Sequence, residues 1–314
     1  MKTSLSSKDI LSLQDISASE ISSILSLASK LKKDLRKKDF SKLLTGKILG
    51  MIFQKPSTRT RVSFESAMIQ MGGSAISLNS SDIQLSRGES VDDTARTLSL
   101  YLNCLMARVY DHSDIEKLAI NSSIPVINGL SNLFHPCQIL ADLLTIKEHK
   151  KNFKNLNLAW IGDGNNVCND LLLGCSKTGI NIKVACPKGY EPPSWIIKIA
   201  KDSCINSNCN VDILNDPIKA VLDADVVVTD TFMSIGMEQE KIKREQIFLP
   251  KYQVNSDLMK FADKDVIFMH CLPAKRGQEV TSDVIDGTSS VVWDEAENRL
   301  HVQKAILYML MKKK

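Results

Sequence analysis

Along its whole length the chain alternates short apolar runs with longer segments of helical periodicity, and this constrains the fold more than any other feature. Strands that recur singly, each followed by a helix, pair in parallel with the helices as crossovers. In the first half the pattern predicts strands at 47–53, 74–78, 104–109 and 124–127, with helices near 61–71, 91–102 and 113–120. Pro136 suits the first turn of a further helix running to about residue 149. A second series of strands is expected at 156–161, 181–186, 210–214, 225–229, 266–269 and 291–293, before a last helix at about 295–312. A chain of 314 residues is long enough for two ordinary domains. The expected fold is therefore α/β, with two doubly wound parallel-sheet domains joined by long helices. One domain is 1–150 together with the C-terminal helix 295–314; the other is 151–294.

Near the N-terminus, Ser17-Ala18-Ser19-Glu20 reads as a capping box, with Ile16 and Ile21 placed as a hydrophobic staple. Ile21, Ile24, Leu25, Ala28, Leu31 and Leu35 then form the apolar stripe of a helix. A folded helix this early leaves no room for a cleaved leader in the chain as given. No apolar run approaches the roughly 18 residues a membrane span needs. A net charge of +4 is too small to suggest nucleic acid. The eight cysteines are scattered, several in apolar runs, without a C-x-x-C. That usage suits buried free thiols in a reducing cytoplasm better than disulfides or zinc, and Cys204 with Cys209 lacks partners for a metal site.

The loop Gln54-Lys55-Pro56-Ser57-Thr58-Arg59-Thr60-Arg61 follows the first strand and opens a helix. A helix N-terminus offers backbone N–H groups and a positive dipole end, and hydroxyls and guanidiniums are added here. Arginine matches phosphate through its planar fork. A solvated basic turn is the alternative, but two arginines in a first turn oppose the dipole and call for an anion. Other polar groups stand at strand ends, where parallel sheets bind ligands: Arg108, His135-Pro136-Cys137-Gln138, Asp230 and Cys271. Each has a plainer reading, as a solvated strand end, an exposed helix start, a loop-capping acid or a buried thiol. Gly162-Asp163-Gly164-Asn165-Asn166-Val167 invites a dinucleotide fingerprint and fails it. Val167 occupies the third glycine's place, Asp163 would face the pyrophosphate, and the next strand lacks a ribose-binding acid. Asn165 and Asn166 instead offer amides to a polar ligand.

Taken together, these residues resemble a known family. Ser57-Thr58-Arg59-Thr60-Arg61 is similar to the carbamoyl-phosphate motif of the aspartate/ornithine carbamoyltransferases, and His135-Pro136-Cys137-Gln138 with Ala141-Asp142-Leu143-Leu144 to its second motif. His270-Cys271-Leu272-Pro273-Ala274 and Asp294-Glu295-Ala296-Glu297-Asn298-Arg299 resemble the versions found in members that use ornithine. The likeness runs over nearly the whole chain. It implies a carbamoyl-phosphate-binding domain at 1–150, an ornithine-binding domain at 151–294, and transfer of the carbamoyl group to ornithine's side-chain amine. That reaction gives citrulline and phosphate, a step of arginine biosynthesis and of the urea cycle. Carbamoyl phosphate is then expected at Ser57, Thr58, Arg59, Thr60, Gln84, Arg108, His135, Pro136, Cys137, Gln138, Cys271, Leu272 and Arg299, with Gln84 reaching a neighbouring subunit's site. Ornithine is expected at Asn166, Asp230, Ser234 and Ile235. Arg59, Arg108, His135 and Cys271 would carry the chemistry, Cys271 by lining the ornithine side chain rather than attacking. The resemblance further implies a cytoplasmic homotrimer or an assembly of trimers, with no cofactor, metal, membrane or nucleic-acid partner.

Ile235 stands where relatives usually carry methionine, and Phe232 where tryptophan is common. Putrescine or an acylated ornithine therefore stay open as acceptors. Aspartate, a dicarboxylate, would need cations where the chain offers Asp230. A nicotinamide-dependent dehydrogenase and a non-enzymatic amino-acid-binding module remain as readings from other classes.

Overall fold

The computed structural model describes residues 5–38, 42–233 and 238–312. It divides into two compact units, Met1–Leu144 with Glu297–Lys314, and Thr145–Ala296. The first contains α1 (Ala18–Arg36), β1 (Ile48–Phe53), α2 (Thr58–Gln70), β2 (Ser74–Asn79), α3 (Val91–Tyr101), β3 (Cys104–Arg108), α4 (His112–Asn121), β4 (Val126–Leu130) and the start of α5 (Pro136–Lys150). The second contains β5 (Asn157–Ile161), α6 (Asn166–Thr178), β6 (Asn181–Ala185), α7 (Ser194–Ser207), β7 (Val211–Leu214), α8 (Pro217–Val221) and β8 (Val226–Thr229). It continues through α9 (Lys241–Phe248), α10 (Ser256–Met259), β9 (Ile267–His270), α11 (Ser282–Ile285) and the start of α12 (Val292–Met311).

Every strand pairing among the described residues is parallel, as the alternation requires. Among the described residues, one sheet has the order β2-β1-β3-β4 and the other β7-β6-β5-β8-β9. In each sheet the winding reverses beside its first strand, between β1 and β3 and between β5 and β8. At such a point the two loops leave in opposite directions and open a crevice at the strands' carboxyl ends. The inner strands β3 and β8 are buried along their length, because helices cover both faces, and the edge strand β9 is buried as well.

Local signals behave as the sequence indicates. Ser17 Oγ accepts from Glu20 N–H at 3.3 Å and Glu20 returns the bond to Ser17 N–H at 2.9 Å, closing the capping box of α1. The stripe from Ile21 to Leu31 is buried beneath it.

Two expectations are corrected. No strand forms at 291–293. The chain touches β9 through one bridge, Ser290 to Phe268, and then enters α12 at Val292. Asp294 and Glu295 in the first turn favour the helix electrostatically. Cys204 and Cys209 are not free thiols; they form a disulfide, whereas the other six cysteines are free. Asn208 turns left-handed (φ 55°) after α7 and folds the chain back, bringing the two Cα atoms to 4.9 Å, within bridging range.

Candidate functional site

In the first unit, the register sets Phe53 at the end of β1 beside Arg108 at the end of β3. Gln54 ties the two exits together. Its N–H donates to the Arg108 carbonyl (2.9 Å), its Oε1 accepts from Tyr110 N–H (2.8 Å), and its Nε2 donates to Asp114 (3.0 Å). Ser57 caps α2 by accepting from Thr60 N–H at 3.2 Å, with Thr58 and Arg59 in the first turn. Arg299, on α12, is buried. It donates through one NH group to Thr60 Oγ1 (2.9 Å) and through the other to Gln138 Oε1 (3.1 Å). Gln138 passes its own amide on to Asp142 at 2.8 Å.

His135 precedes the first turn of α5 and is almost fully buried. Burial pushes its pKa well below the ordinary 6.5, and the positive charges of Arg299, Arg108 and Arg59 push the same way. Lys55 is buried too, with its Nζ 4.5 Å from the centre of the Tyr110 ring. Burial, and then Arg108, lower its pKa. Four cationic side chains and an uncharged imidazole are thus grouped at one switch point. Cations grouped in a low dielectric create a strong positive potential that attracts an anion.

The remaining expected residues of this unit differ in position. Pro136 starts α5. Cys137 is fully buried, and its thiol donates to the Asn128 carbonyl (3.6 Å). Gln84 is exposed in the turn Gln84–Arg87. Arg61 corrects the argument from two arginines: it is exposed and pairs along the helix with Glu65 (3.1 Å), so it does not call for a bound anion. Lys55 escapes a sequence reading because a lysine in a polar loop reads as solvated.

In the second unit, the loops after β5 and β8 meet. Asn165 caps α6 by accepting from Val167 and Cys168 N–H groups (3.0 and 3.1 Å), and its amide donates to Asp230 at 2.8 Å. The opposite Asp230 oxygen accepts from Thr231 N–H (2.7 Å) and from the Cys271 thiol (3.1 Å). The pairing of Thr229 with His270 places those two residues side by side. Asn166 is buried at the first position of α6, and Leu272 holds a left-handed backbone (φ 57°). Ser234 and Ile235 lie outside the described residues. Asn165 thus serves the cap and Asp230 rather than offering a free amide.

Asp163 does not face outward either; it pairs with the buried Arg244, which also donates to the Phe232 carbonyl at 2.6 Å. Burial still raises the Asp163 pKa to about 6, against the pull of Arg244. A Cβ on Gly164 would lie 2.3 Å from the Pro192 nitrogen. That glycine therefore admits the chain's own backbone rather than a pyrophosphate, which removes the nicotinamide reading. Donor atoms of Asp230, His270 and Cys271 lie within 4.8 Å of one another, a spacing a cation could use. Both His270 ring nitrogens are engaged, however, by Leu272 N–H (2.9 Å) and Glu279 (3.2 Å), so this trio does not fit a metal as it stands.

Comparison with known proteins agrees with both halves. Residues 8–148 match the family model described as the carbamoyl-P binding domain of aspartate/ornithine carbamoyltransferase, and 154–310 its Asp/Orn binding domain. The chain is 54% identical over 311 residues to an ornithine carbamoyltransferase of Pyrococcus abyssi, covering 99% of this chain and 98% of the relative. It is 56% identical over 305 residues to that of Cenarchaeum symbiosum, covering 97% and 98%. The solved structure of ornithine carbamoyltransferase from Pyrococcus furiosus superposes with a TM-score of 0.95 at 53% identity, over 98% of each chain.

Proposed function

We propose that this chain, which belongs to the aspartate/ornithine carbamoyltransferase family, transfers the carbamoyl group of carbamoyl phosphate to the side-chain amine of L-ornithine. The products are L-citrulline and phosphate. The observation that carries the reading is the cation group at the carboxyl ends of β1 and β3: Arg299, Arg108 and Lys55 are buried there, and Arg299 is held to Thr60 Oγ1 and Gln138 Oε1.

The proposed residue roles follow from that geometry. Ser57, Thr58, Arg59 and Thr60 bind the phosphate with the N-terminus of α2, and Lys55 adds charge. Arg299, held to Thr60 and Gln138, completes the anion site. Arg108 and His135 address the carbonyl oxygen. His135 stays neutral, so it donates one N–H without giving up a second proton. Asn166, Asp230, Ser234 and Ile235 hold the amino acid, and Cys271 with Leu272 lines its path. The amine nitrogen bonds to the carbamoyl carbon as the carbon–oxygen bond to phosphate breaks. The electron pair leaves with phosphate, and the proton lost by the amine passes to that phosphate, which departs as hydrogen phosphate. Charge developing on the carbonyl oxygen and the leaving phosphate is met by fixed donors, which need not reorganise. The attacking amine must be neutral, and a free alkylamine has a pKa of about 10, so the rate rises toward alkaline pH.

Assembly as a homotrimer in the cytoplasm belongs to the same proposal. The edge strand β2 is only partly buried, and Ile76 on it and Val62 and Ile69 on α2 are exposed. Such apolar surface suits contact with further copies. Among the described residues, no helix is long and apolar enough to cross a membrane.

The test is product formation from carbamoyl phosphate with ornithine, aspartate and putrescine in parallel. Citrulline alone supports the reading. Product from another acceptor only would overturn the role given to Asp230, and no product from any acceptor would overturn the transferase reading.

A further inference from the structure

The segment Cys271-Leu272 carries both a thiol bonded to Asp230 and a leucine in left-handed backbone. Residues other than glycine adopt that conformation rarely, and a branched side chain holds it only where surrounding structure fixes it. The fixing contact is at His270. Its Nδ1 accepts from Leu272 N–H at 2.9 Å, so Nδ1 carries the lone pair and the ring proton is on Nε2. Nε2–H then donates to Glu279 Oε1 at 3.2 Å. His270 and Glu279 are both fully buried. Glu279 Oε1 also accepts from Lys275 N–H (2.5 Å), and the Glu279 carbonyl accepts from Val254 N–H (2.9 Å), which anchors the loop carrying it. The backbone N–H of His270 donates to Glu295 Oε2 at 2.9 Å.

A buried carboxyl group is costly to keep unless it is hydrogen-bonded, and Glu279 Oε1 is bonded to Lys275 N–H and to the His270 ring. Besides holding Lys275 N–H, Glu279 fixes the tautomer of His270. With the proton on Nδ1 instead, that nitrogen would face the Leu272 N–H donor to donor and the segment would be released.

We infer that Glu279 is a positioning residue for the acceptor half of the reaction: through His270 it holds Leu272 in its left-handed turn and Cys271 against Asp230. The inference rests on the transferase reading above. It predicts that Glu279→Leu lowers kcat/KM for ornithine by tenfold or more, with the affinity for inorganic phosphate within about threefold of wild type. Glu279→Gln keeps an acceptor for Nε2–H and recovers most of the loss. His270→Asn keeps an acceptor for Leu272 N–H but no longer reaches Glu279, so adding Glu279→Leu to it costs nothing further.

A merely structural role would lower Tm and the active fraction together and leave the ornithine KM and this coupling untouched. Equal loss in Glu279→Gln and Glu279→Leu, or additive losses in the double variant, would overturn the inference. Nitrogen-15 spectra of the histidine-labelled wild-type protein give a test that no variant's folding can spoil. The ring of His270, one of five histidines, is expected with Nε2 protonated and Nδ1 bare at neutral pH, and the opposite tautomer refutes the relay. If wild-type protein forms no citrulline, the transferase reading fails. If it forms citrulline and Glu279→Leu matches it, only the positioning role fails.

Discussion

Lys55→Met separates what the cation group does for the fold from what it does for the ligand. Lys55 is buried, and among the described residues no carboxylate pairs with it; its Nζ lies 4.5 Å from the centre of the Tyr110 ring. Burial lowers its pKa from 10.5, and Arg108 adds to that. A lysine whose folded pKa lies below its unfolded one destabilises the fold at every pH where it stays charged. Methionine keeps the volume, removes that penalty and forfeits a cation–π contact worth about 0.5–1 kcal/mol. Ligand-free Lys55→Met is therefore expected within about 1 kcal/mol of wild type, and not below it. Its response to anion is expected to differ. A charge-assisted hydrogen bond contributes about 1.5–3 kcal/mol, so the phosphate Kd should rise roughly 10- to 150-fold. At inorganic phosphate 100 times the wild-type Kd, wild type gains about 2.7 kcal/mol and the variant about 0.3–1.3 kcal/mol. For a unit the size of Met1–Leu144 with Glu297–Lys314, those gains are Tm shifts of about 5–11 °C and about 1–5 °C. Scanning calorimetry with chloride matched for ionic strength reads both. An identical phosphate response in the two proteins would refute the placement of Lys55 at the anion, and a ligand-free loss above about 1 kcal/mol would refute the charge argument.

Three further outcomes follow from the same geometry. The folded pKa of His135 lies below its unfolded 6.5, so the unfolded chain takes up its proton first and stability falls as pH drops below 6.5. One proton contributes up to about 1.4 kcal/mol per pH unit, and His135→Gln should flatten urea-measured stability by that slope on the acid side; an unchanged slope rejects the assignment. Arg244→Met strands a buried carboxylate and should cost about 3–5 kcal/mol at pH 8. Asp163 titrates at about 6 and is largely protonated at pH 5, so the loss should be smaller there, and an equal loss at both pH values would contradict the pairing. Cys271→Ala should keep measurable turnover with a raised ornithine KM, because the thiol donates to Asp230 rather than attacking; a dead enzyme with intact substrate binding would reverse that role.

Much of this molecule is legible in its sequence, for a local reason. Helix periodicity, the Ser17–Glu20 box, the cap at Ser57 and the apolar runs of β1, β3 and β8 are set by neighbours a few residues away. Among the described residues, eight of the nine strands are bounded by the pattern to within a residue or so; β4 runs from Val126 to Leu130, past the expected 127. At 291–293 the pattern misleads, because two β-branched residues look alike at a strand and at a helix start. The motif loops are likewise found at strand ends, since alternation already puts them there. Burial, pairing and protonation escaped the sequence. Arg299 reaches Thr60 across 239 positions of chain, and Asn165 reaches Asp230 across 65. Arg61 and Arg59 differ by two residues, yet one pairs with Glu65 on the surface and the other lies close enough to His135 to lower its pKa. Sequence supplies the donors and the order in which they occur. Strand register decides which of them share a switch point, and the low dielectric of that packed interior turns neighbouring cations into an anion site.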